Sequence, residues 1–327
     1  MQKKVGKKIT YFVQNYEPKW EAISKEVEIL HRNFSSEIFN INTSNPASLV
    51  RVARIPFVRS DIYHMYTSIG DRLFLPRIKK RPLVVTGSAA SSFAKIEDSE
   101  FYEKVDSIVV ESRYQKDQLL DMDVSENKIR IIRPGIDLKK FRPLPVKRGT
   151  FSVLFASSPP SESQMEARGV FMLLDCAAQN PDIDFILIWR KAGYEALMKK
   201  IKSADIRNVI VKNKIIGDMR KEYAKADCVA APYNSIDIEK PIPRSIVEAI
   251  ACGKPVLVTS NVDIRDIVSQ EQCGVVFMPD SLSMSSALAK LRKNYSYYQV
   301  NCRRTAEKYF SMKDFIENYS KIYEDIL

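Results

Sequence analysis

The sequence predicts an α/β protein built as two successive doubly wound units, each around a parallel sheet. Three observations lead there. Short β-rich apolar runs alternate with helix-length amphipathic segments, the rhythm of strand–helix–strand units. That rhythm is broken once, from Arg133 to Pro145, by three prolines and a glycine, and then restarts, so the stretch reads as a linker. The chain has 327 residues, which at roughly 100–200 residues per domain fits two domains better than one.

In the first half the predicted strands are Ile9–Val13, Glu37–Ile41, Asp61–Tyr66, Leu83–Thr86, Ser107–Val110 and Lys128–Ile132. The clearest helix is Trp20–Arg32, where Trp20, Ile23, Val27 and Leu30 recur at steps of three and four and so share one face. After the linker come the strand Ser152–Ala156, a helix near Val170–Gln179, and the strand Asp184–Trp189. A helix near Tyr194–Ile201, the strand Asn208–Val211, a helix near Asp218–Lys225 and the strand Cys228–Ala231 follow. A helix at Pro243–Cys252 leads to the strand Pro255–Thr259, and from Ser281 the chain reads as helical with breaks. No solenoid period and no low-complexity tract is present. In such a pair of units, ligands bind outside the carboxyl ends of the strands, in the crevice between the units. Site residues are therefore expected in strand-to-helix loops.

Composition excludes several classes of function. Hydrophobic residues make up 45% and charged residues 28%, ordinary for a soluble globular protein. No run approaches the ~18 apolar residues of a membrane helix, and the opening MQKKVGKKIT lacks the apolar core of a signal peptide. The expected location is the cytoplasm, with a peripheral position on the inner face of the membrane as its variant. The net charge is 51 − 40 = +11, which favours anionic partners; a solvated basic surface accounts for scattered charges equally well. Cys176, Cys228, Cys252, Cys273 and Cys302 are odd in number and lie without CxxC spacing, so they read as reduced, mostly buried thiols rather than a disulfide framework or zinc site. Only His31 and His64 offer an imidazole, and among 10 glycines neither a GxGxxG nor a GxxxxGK[ST] motif occurs.

The most informative stretch runs from Glu239 to Thr259 (EKPIPRSIVEAIACGKPVLVT). Pro243 suits the first position of a helix. Free backbone N–H groups of Arg244, Ser245 and Ile246 would then form an anion site suited to a pyrophosphate. Glu248, about a turn further along, lies on a face that can reach a ribose diol. Gly253 is placed to end the helix in the left-handed conformation, before Lys254-Pro255 opens the next strand.

Here the chain resembles the GT-B retaining glycosyltransferases of glycosyltransferase family 4. Their pattern is a Glu, seven residues, a second Glu, then Ala-Met-Ala-x-Gly-x-Pro-Val; residues Glu248 to Val256 (EAIACGKPV) are similar to its second half. Ser60 to Tyr66 (SDIYHMY) resembles the family's Asp-hydrophobic-hydrophobic-His strand. Val105 to Ser112 (VDSIVVES), and Lys128 to Asp137 (KIRIIRPGID) with Phe141, resemble the end of its first domain. Glu222 to Val229 (EYAKADCV), with Pro232, resembles the strand before the donor loop.

The resemblance implies two Rossmann-like domains facing across a cleft. Residues 1–146 would form an acceptor domain, joined by a helix at 312–327 that crosses back, and residues 147–311 a nucleotide-sugar donor domain. It further implies metal-independent transfer from a nucleotide-diphosphate sugar to a glycan or lipid-linked acceptor, with retention of configuration and no separate cofactor. The second glutamate, Glu248, would bind the ribose, the first would contact the donor sugar, and an Arg and a Lys would hold the diphosphate. Protein cations would answer the charge of the leaving group by preorganised electrostatics.

Four positions depart from the family. Lys240 stands at the first glutamate's place, with Glu239 one residue off, and either could face the sugar; a solvated loop carboxylate is the competing reading of Glu239. Ser157-Ser158 replaces the family's Gly-Arg after the first strand of the second domain, so the diphosphate arginine is missing. Arg168, before Gly169-Val170, stands where the diphosphate lysine belongs and keeps its charge, while Arg190 and Arg244 are the candidates for the lost cation, each with a surface role as the alternative. Only Ser88 follows the strand Val84-Val-Thr86, where a His is often found, and His64 reads as a packed core residue. The first strand-to-helix turn, Gln14 to Pro18, lacks the usual glycine pair.

A divergent enzyme and a catalytically degenerate nucleotide-sugar-binding or partner subunit both accommodate these gaps; an epimerase of the same fold would want more carboxylates and histidines. The basic clusters Lys3/Lys4/Lys7/Lys8 and Arg77 to Arg81 suit an anionic membrane surface, at about 1 kcal/mol per residue, or are solvated ends. They lack interleaved aromatics and any nucleic-acid module, so no nucleic-acid partner is expected.

Overall fold

Apolar runs of the first half become the strands of one parallel sheet, and those of the second half become another. The computed structural model describes residues 6–14, 16–17, 22–41, 54–67, 81–87, 102–145, 149–235 and 241–327. These fall into two compact units. Unit 1 holds the described residues up to Gly135, Pro241 and Met312–Leu327; unit 2 holds those of 136–235 and 242–311.

In unit 1 the strands are β1 (Ile9–Gln14), β2 (Ser36–Ile41), β3 (Ile62–Thr67), β4 (Leu83–Gly87), β5 (Ser107–Val110) and β6 (Ile129–Ile131). They lie in the order β2-β1-β3-β4-β5-β6, and every pairing is parallel. Period-two alternation sends Ile9, Tyr11 and Val13 to one face and Phe12 to the other, with apolar clusters on both. A sheet covered on both faces reads in sequence as continuous apolar runs. Helix α1 (Ala22–Asn33) buries Val27 and Leu30; Trp20, at the predicted start of that helix, lies outside the described residues. In helix α2 (Arg113–Leu120) the Ser112 hydroxyl caps the first turn by accepting from the Gln115 N–H at 3.1 Å.

Unit 2 contains β7 (Ser152–Phe155), α3 (Glu162–Ala167), α4 (Val170–Gln179), β8 (Asp184–Trp189), α5 (Tyr194–Ser203), β9 (Val209–Asn213), α6 (Met219–Lys225) and β10 (Cys228–Ala231). It continues with α7 (Arg244–Ala251), β11 (Val256–Thr259), α8 (Arg265–Glu271), β12 (Gly274–Phe277), α9 (Ser281–Lys293) and α10 (Tyr295–Tyr309). Its strand order is β12-β11-β10-β7-β8-β9, again all parallel. The sequence reading did not single out β12, α3 or α8. The two helices span 6 and 7 residues and β12 only 4.

The division between the units comes after Gly135 rather than after residue 146, because the Pro-rich stretch packs as part of unit 2. The Ile136 N–H donates to the Phe310 carbonyl at 2.8 Å. The Arg303 guanidinium donates to the carbonyls of Leu138 (2.9 Å), Phe141 (2.7 Å) and Ala251 (3.1 Å).

All five cysteines are buried and free. Burial pushes Cys252 and Cys273 up to about 12, leaving them protonated thiols rather than nucleophiles. Among the described residues no helix is long and apolar enough to cross a membrane.

The last helix, α11 (Met312–Asp325), belongs to unit 1 and buries Phe315, Tyr319, Ile322 and Tyr323 beside Ile9, Tyr11, Val84 and Val109. It is also joined to the sheet through a chain of buried hydroxyls around His64. The imidazole Nδ1 bonds the Tyr323 hydroxyl at 2.7 Å and Nε2 the Thr86 hydroxyl at 2.8 Å. Thr86 in turn bonds the Tyr319 hydroxyl at 3.1 Å. A neutral imidazole, with one donor and one acceptor nitrogen, satisfies both contacts.

Burial holds the His64 pKa down to about 3, against ~6.5 in an unfolded chain. Below about pH 6.5 the unfolded chain gains a proton that the folded chain refuses, so the stability present at neutral pH is lost progressively toward pH 3. By pH 5 the loss is about 2 kcal/mol. Urea denaturation at pH 7 and pH 5 should show it, and His64→Gln should be less stable at pH 7 yet lose distinctly less between the two. An undiminished loss in the variant would exclude His64 as the source.

Candidate functional site

Four loops of unit 2 leave the carboxyl ends of adjacent parallel strands, where ligands of doubly wound folds bind. After β7, the Ser157 hydroxyl accepts from Arg168 Nη1 at 2.7 Å, and the Ser158 hydroxyl accepts from the Arg190 N–H at 2.8 Å. Arg168 is 8% exposed, so its charge is delivered to the β7 loop rather than to solvent. Arg190, just past β8, keeps an exposed side chain. The two serines standing in place of the family's Gly-Arg thus each hold a segment that carries an arginine.

The turn carrying Arg168 is fixed by its neighbour. Gly169 has φ +66°, and a Cβ there would stand 1.6 Å from the Pro232 carbonyl oxygen, so only glycine permits this approach. The Asn234 N–H donates to the Ala167 carbonyl at 2.8 Å. Thr259, at the end of β11, donates its hydroxyl to the Tyr233 carbonyl at 2.6 Å, and the Asn261 amide donates to the Asn234 carbonyl at 2.9 Å. The loops after β7, β10 and β11 are thereby one hydrogen-bonded surface.

Helix α7 opens on that same end of the sheet. Pro243 is its N-cap, so the first helical residue is Arg244. Of the three N–H groups expected to be free, that of Ile246 is not. It donates to the Pro243 carbonyl at 3.0 Å, because the cap residue's carbonyl takes the first turn's donors, and its side chain is fully buried. Arg244 and Ser245 make no such bond among the described residues.

One turn in, Glu248 is 8% exposed. Its Oε1 accepts from Arg244 Nε at 3.2 Å and its Oε2 from the Tyr223 hydroxyl at 2.8 Å. Burial and the adjacent Glu248 charge push the Tyr223 phenol well above its ordinary range, so it stays a donor. Arg244 Nη1 is buried with no hydrogen-bond partner among the described residues. An ionised carboxylate has about four acceptor positions; the described residues fill two of them, which leaves two for further donors such as a pair of vicinal hydroxyls. Helix α7 ends at Cys252, and Gly253 takes φ +71°.

The structure therefore brings Glu248, Arg244 and Ser245 together at one helix start, and Arg168 and Arg190 together at the β7 loop. Glu239 and Lys240, the two candidates for the first family glutamate, lie outside the described residues, as do Ser88, Asn15, Pro18, Lys3, Lys4 and residues 77–80 of the basic cluster. His64 is a core residue, packed as above. Tyr223 was not singled out as a site residue; it sits in the quoted EYAKADCV segment, 25 positions before the carboxylate it holds. Among the described residues no group of three or more His, Cys, Asp or Glu side chains is placed to hold a metal ion.

Residues 165–294, which include Arg168, Arg190, Tyr223, Arg244 and Glu248, match the family model for glycosyl transferases group 1. No curated protein matches the sequence. Among solved structures, a glycosyltransferase from Rickettsia africae aligns with a TM-score of 0.76 at 15% identity, covering 98% of each chain. Anabaena HepE in complex with UDP aligns with a TM-score of 0.76 at 16% identity, covering 97% of this chain and 100% of its own. Sucrose-phosphate synthase from Thermosynechococcus elongatus aligns with a TM-score of 0.75 at 15% identity, covering 97% and 98%. At these identities the likeness speaks for the fold, two α/β units with all-parallel six-stranded sheets. Residues 165–294 of this chain thus match a glycosyl transferases group 1 domain, and the whole chain shares the two-unit α/β fold of these solved glycosyltransferase structures.

Proposed function

We propose that this glycosyltransferase takes its sugar from a nucleotide-diphosphate sugar and passes it, with retention of configuration and without a metal ion, to a glycan or lipid-linked acceptor, in the manner of glycosyltransferase family 4. The observation that carries this reading is the buried Glu248 carboxylate at the start of α7, held by Arg244 and Tyr223 with acceptor positions to spare. Glu248 takes the ribose hydroxyls. The N–H groups of Arg244 and Ser245, with the Arg244 guanidinium, meet the diphosphate at the positive end of the helix.

As the glycosidic bond breaks, negative charge grows on the diphosphate, and preorganised cations lower that barrier. Arg168, fixed by Ser157, is the principal one, with Arg190 and Arg244 beside it in the chemistry though not in the same contacts. Glu239 or Lys240 would face the sugar. The uridine nucleotide named with HepE makes UDP-sugars the first donors to try. Exposed Lys7, Lys8 and Arg81 on unit 1 suit an anionic inner membrane face, where a lipid-linked acceptor would be met; nucleic acid has no place in the reading.

A thermal-shift panel of nucleotides and sugar nucleotides identifies the donor base. With the best of them, Glu248→Gln should weaken binding in calorimetry by roughly tenfold or more, with an unchanged circular dichroism spectrum. Unchanged affinity would remove Glu248 from the site.

Donor turnover tests the cation. Arg168→Ala should lower it by roughly a hundredfold or more. Arg207→Ala, a control whose side chain is 84% exposed and paired with Asp205, should leave it intact. Equal turnover in both variants would sink the assignment of Arg168.

A further inference from the structure

We infer that Tyr223 is a positioning residue for the donor's ribose: its hydroxyl fixes the direction in which the Glu248 carboxylate presents its free acceptor positions. The inference rests on the reading of Glu248 as the ribose carboxylate and adds a residue to it.

Glu248 carries three side-chain torsions, and the last, which turns the carboxylate plane, is soft. Two donors hold it, one on each oxygen, and they differ in kind. Arg244 lies four residues earlier on the same helix, on a long flexible stem. A diphosphate at the start of α7 would draw its guanidinium away from Oε1. Tyr223 comes from a different helix, α6, is 1% exposed, and is packed in the cluster that contains Ile246, Val247 and Ile250 of α7. Its ring cannot follow a ligand, so its hydroxyl stays 2.8 Å from Oε2 when Arg244 is recruited elsewhere. Donor binding thus frees Oε1 for a ribose hydroxyl while Oε2 remains anchored. Without the anchor the carboxylate would still be present, and its aim would be lost.

This makes a prediction that a purely structural tyrosine would not share, because the loss should depend on the ribose. The probes are UDP, GDP and ADP, carried forward as whichever binds tightest, together with its 2′-deoxy form, in calorimetry on the full chain. Tyr223→Phe removes one oxygen and keeps the ring. It should weaken ribonucleotide binding by roughly five- to tenfold and leave the 2′-deoxynucleotide nearly unchanged, so that the protein's preference for ribose collapses. In the Glu248→Gln background the same change should add almost nothing. Equal weakening of both nucleotides, or no weakening of either while Glu248→Gln does weaken binding, overturns the role of Tyr223 and leaves the ribose assignment standing. If Glu248→Gln itself has no effect, the ribose reading falls and this inference with it.

Discussion

Every strand pairing in both sheets is parallel, and most of what the chain can do follows from that constraint. Parallel neighbours cannot be joined by a tight hairpin; each needs a crossover, which covers the faces of the sheet with helices. Strand residues such as Val153, Leu154 and Phe155 then point into one apolar cluster or the other. In unit 2 the candidate site residues sit beyond strand ends. There the carboxyl ends release the Ser157–Ser158, Arg190, Pro232–Asn234 and Ser260–Asn261 segments, and hydrogen bonds join the first to the second and the third to the fourth. The parallel arrangement thus gathers residues scattered over a hundred positions of sequence onto one end of one sheet.

Two buried polar assemblies illustrate opposite solutions to the same desolvation problem. In unit 1, His64 is surrounded by hydroxyls and kept neutral, so the network costs little to bury and ties α11 to the sheet. In unit 2, the side chains of Glu248 and Arg244 are 10% and 15% exposed. A buried ion pair of this kind is commonly no more stabilising than apolar residues of the same volume, whereas stripping it of one partner costs about 3–5 kcal/mol. Stability is therefore a poor reason to place the pair there, and ligand recognition is a better one. Arg244 Nη1, buried without a partner among the described residues, agrees, since a buried donor without an acceptor is costly unless something arrives to take it.

The strands were legible in the sequence where β-branched and aromatic residues ran together, as in β1, or where five apolar residues did, as from Phe185 to Trp189 in β8, because burial on both faces writes itself as uninterrupted apolarity. β12 was not, since Gly274 to Phe277 is short and sits between helices; only its pairing with β11 makes it a strand. The Pro-rich stretch after Arg133 broke the local rhythm as a linker would, yet the Arg303 contacts that fold it into unit 2 come from residues more than 150 positions later. At the site, Glu248 and the helix that carries it followed from local spacing and capping, as did the conformation of Gly253. What local spacing could not supply was contact: Tyr223 reaches Glu248 across two helices, and the Ile246 N–H is lost to Pro243 because the proline caps the helix instead of opening it.

Ser157-Ser158, where the resemblance predicts Gly-Arg, bears on how a diphosphate would be met under the proposed function. A serine cannot neutralise a diphosphate, and on charge alone its presence argues for a disabled enzyme. Its hydroxyl can, however, accept a hydrogen bond where an arginine could only donate one. Both serines do so, Ser157 from the Arg168 guanidinium and Ser158 from the Arg190 backbone. The β7 loop is thus an acceptor that orients one arginine from the α3–α4 turn and fixes the chain that carries another. An arginine at position 158 would place a like charge beside both and remove the acceptor that seats Arg190. The serines and the two arginine-bearing segments are thus linked by hydrogen bonds, and under the proposed function they would supply the electrostatics that a Gly-Arg pair supplies elsewhere.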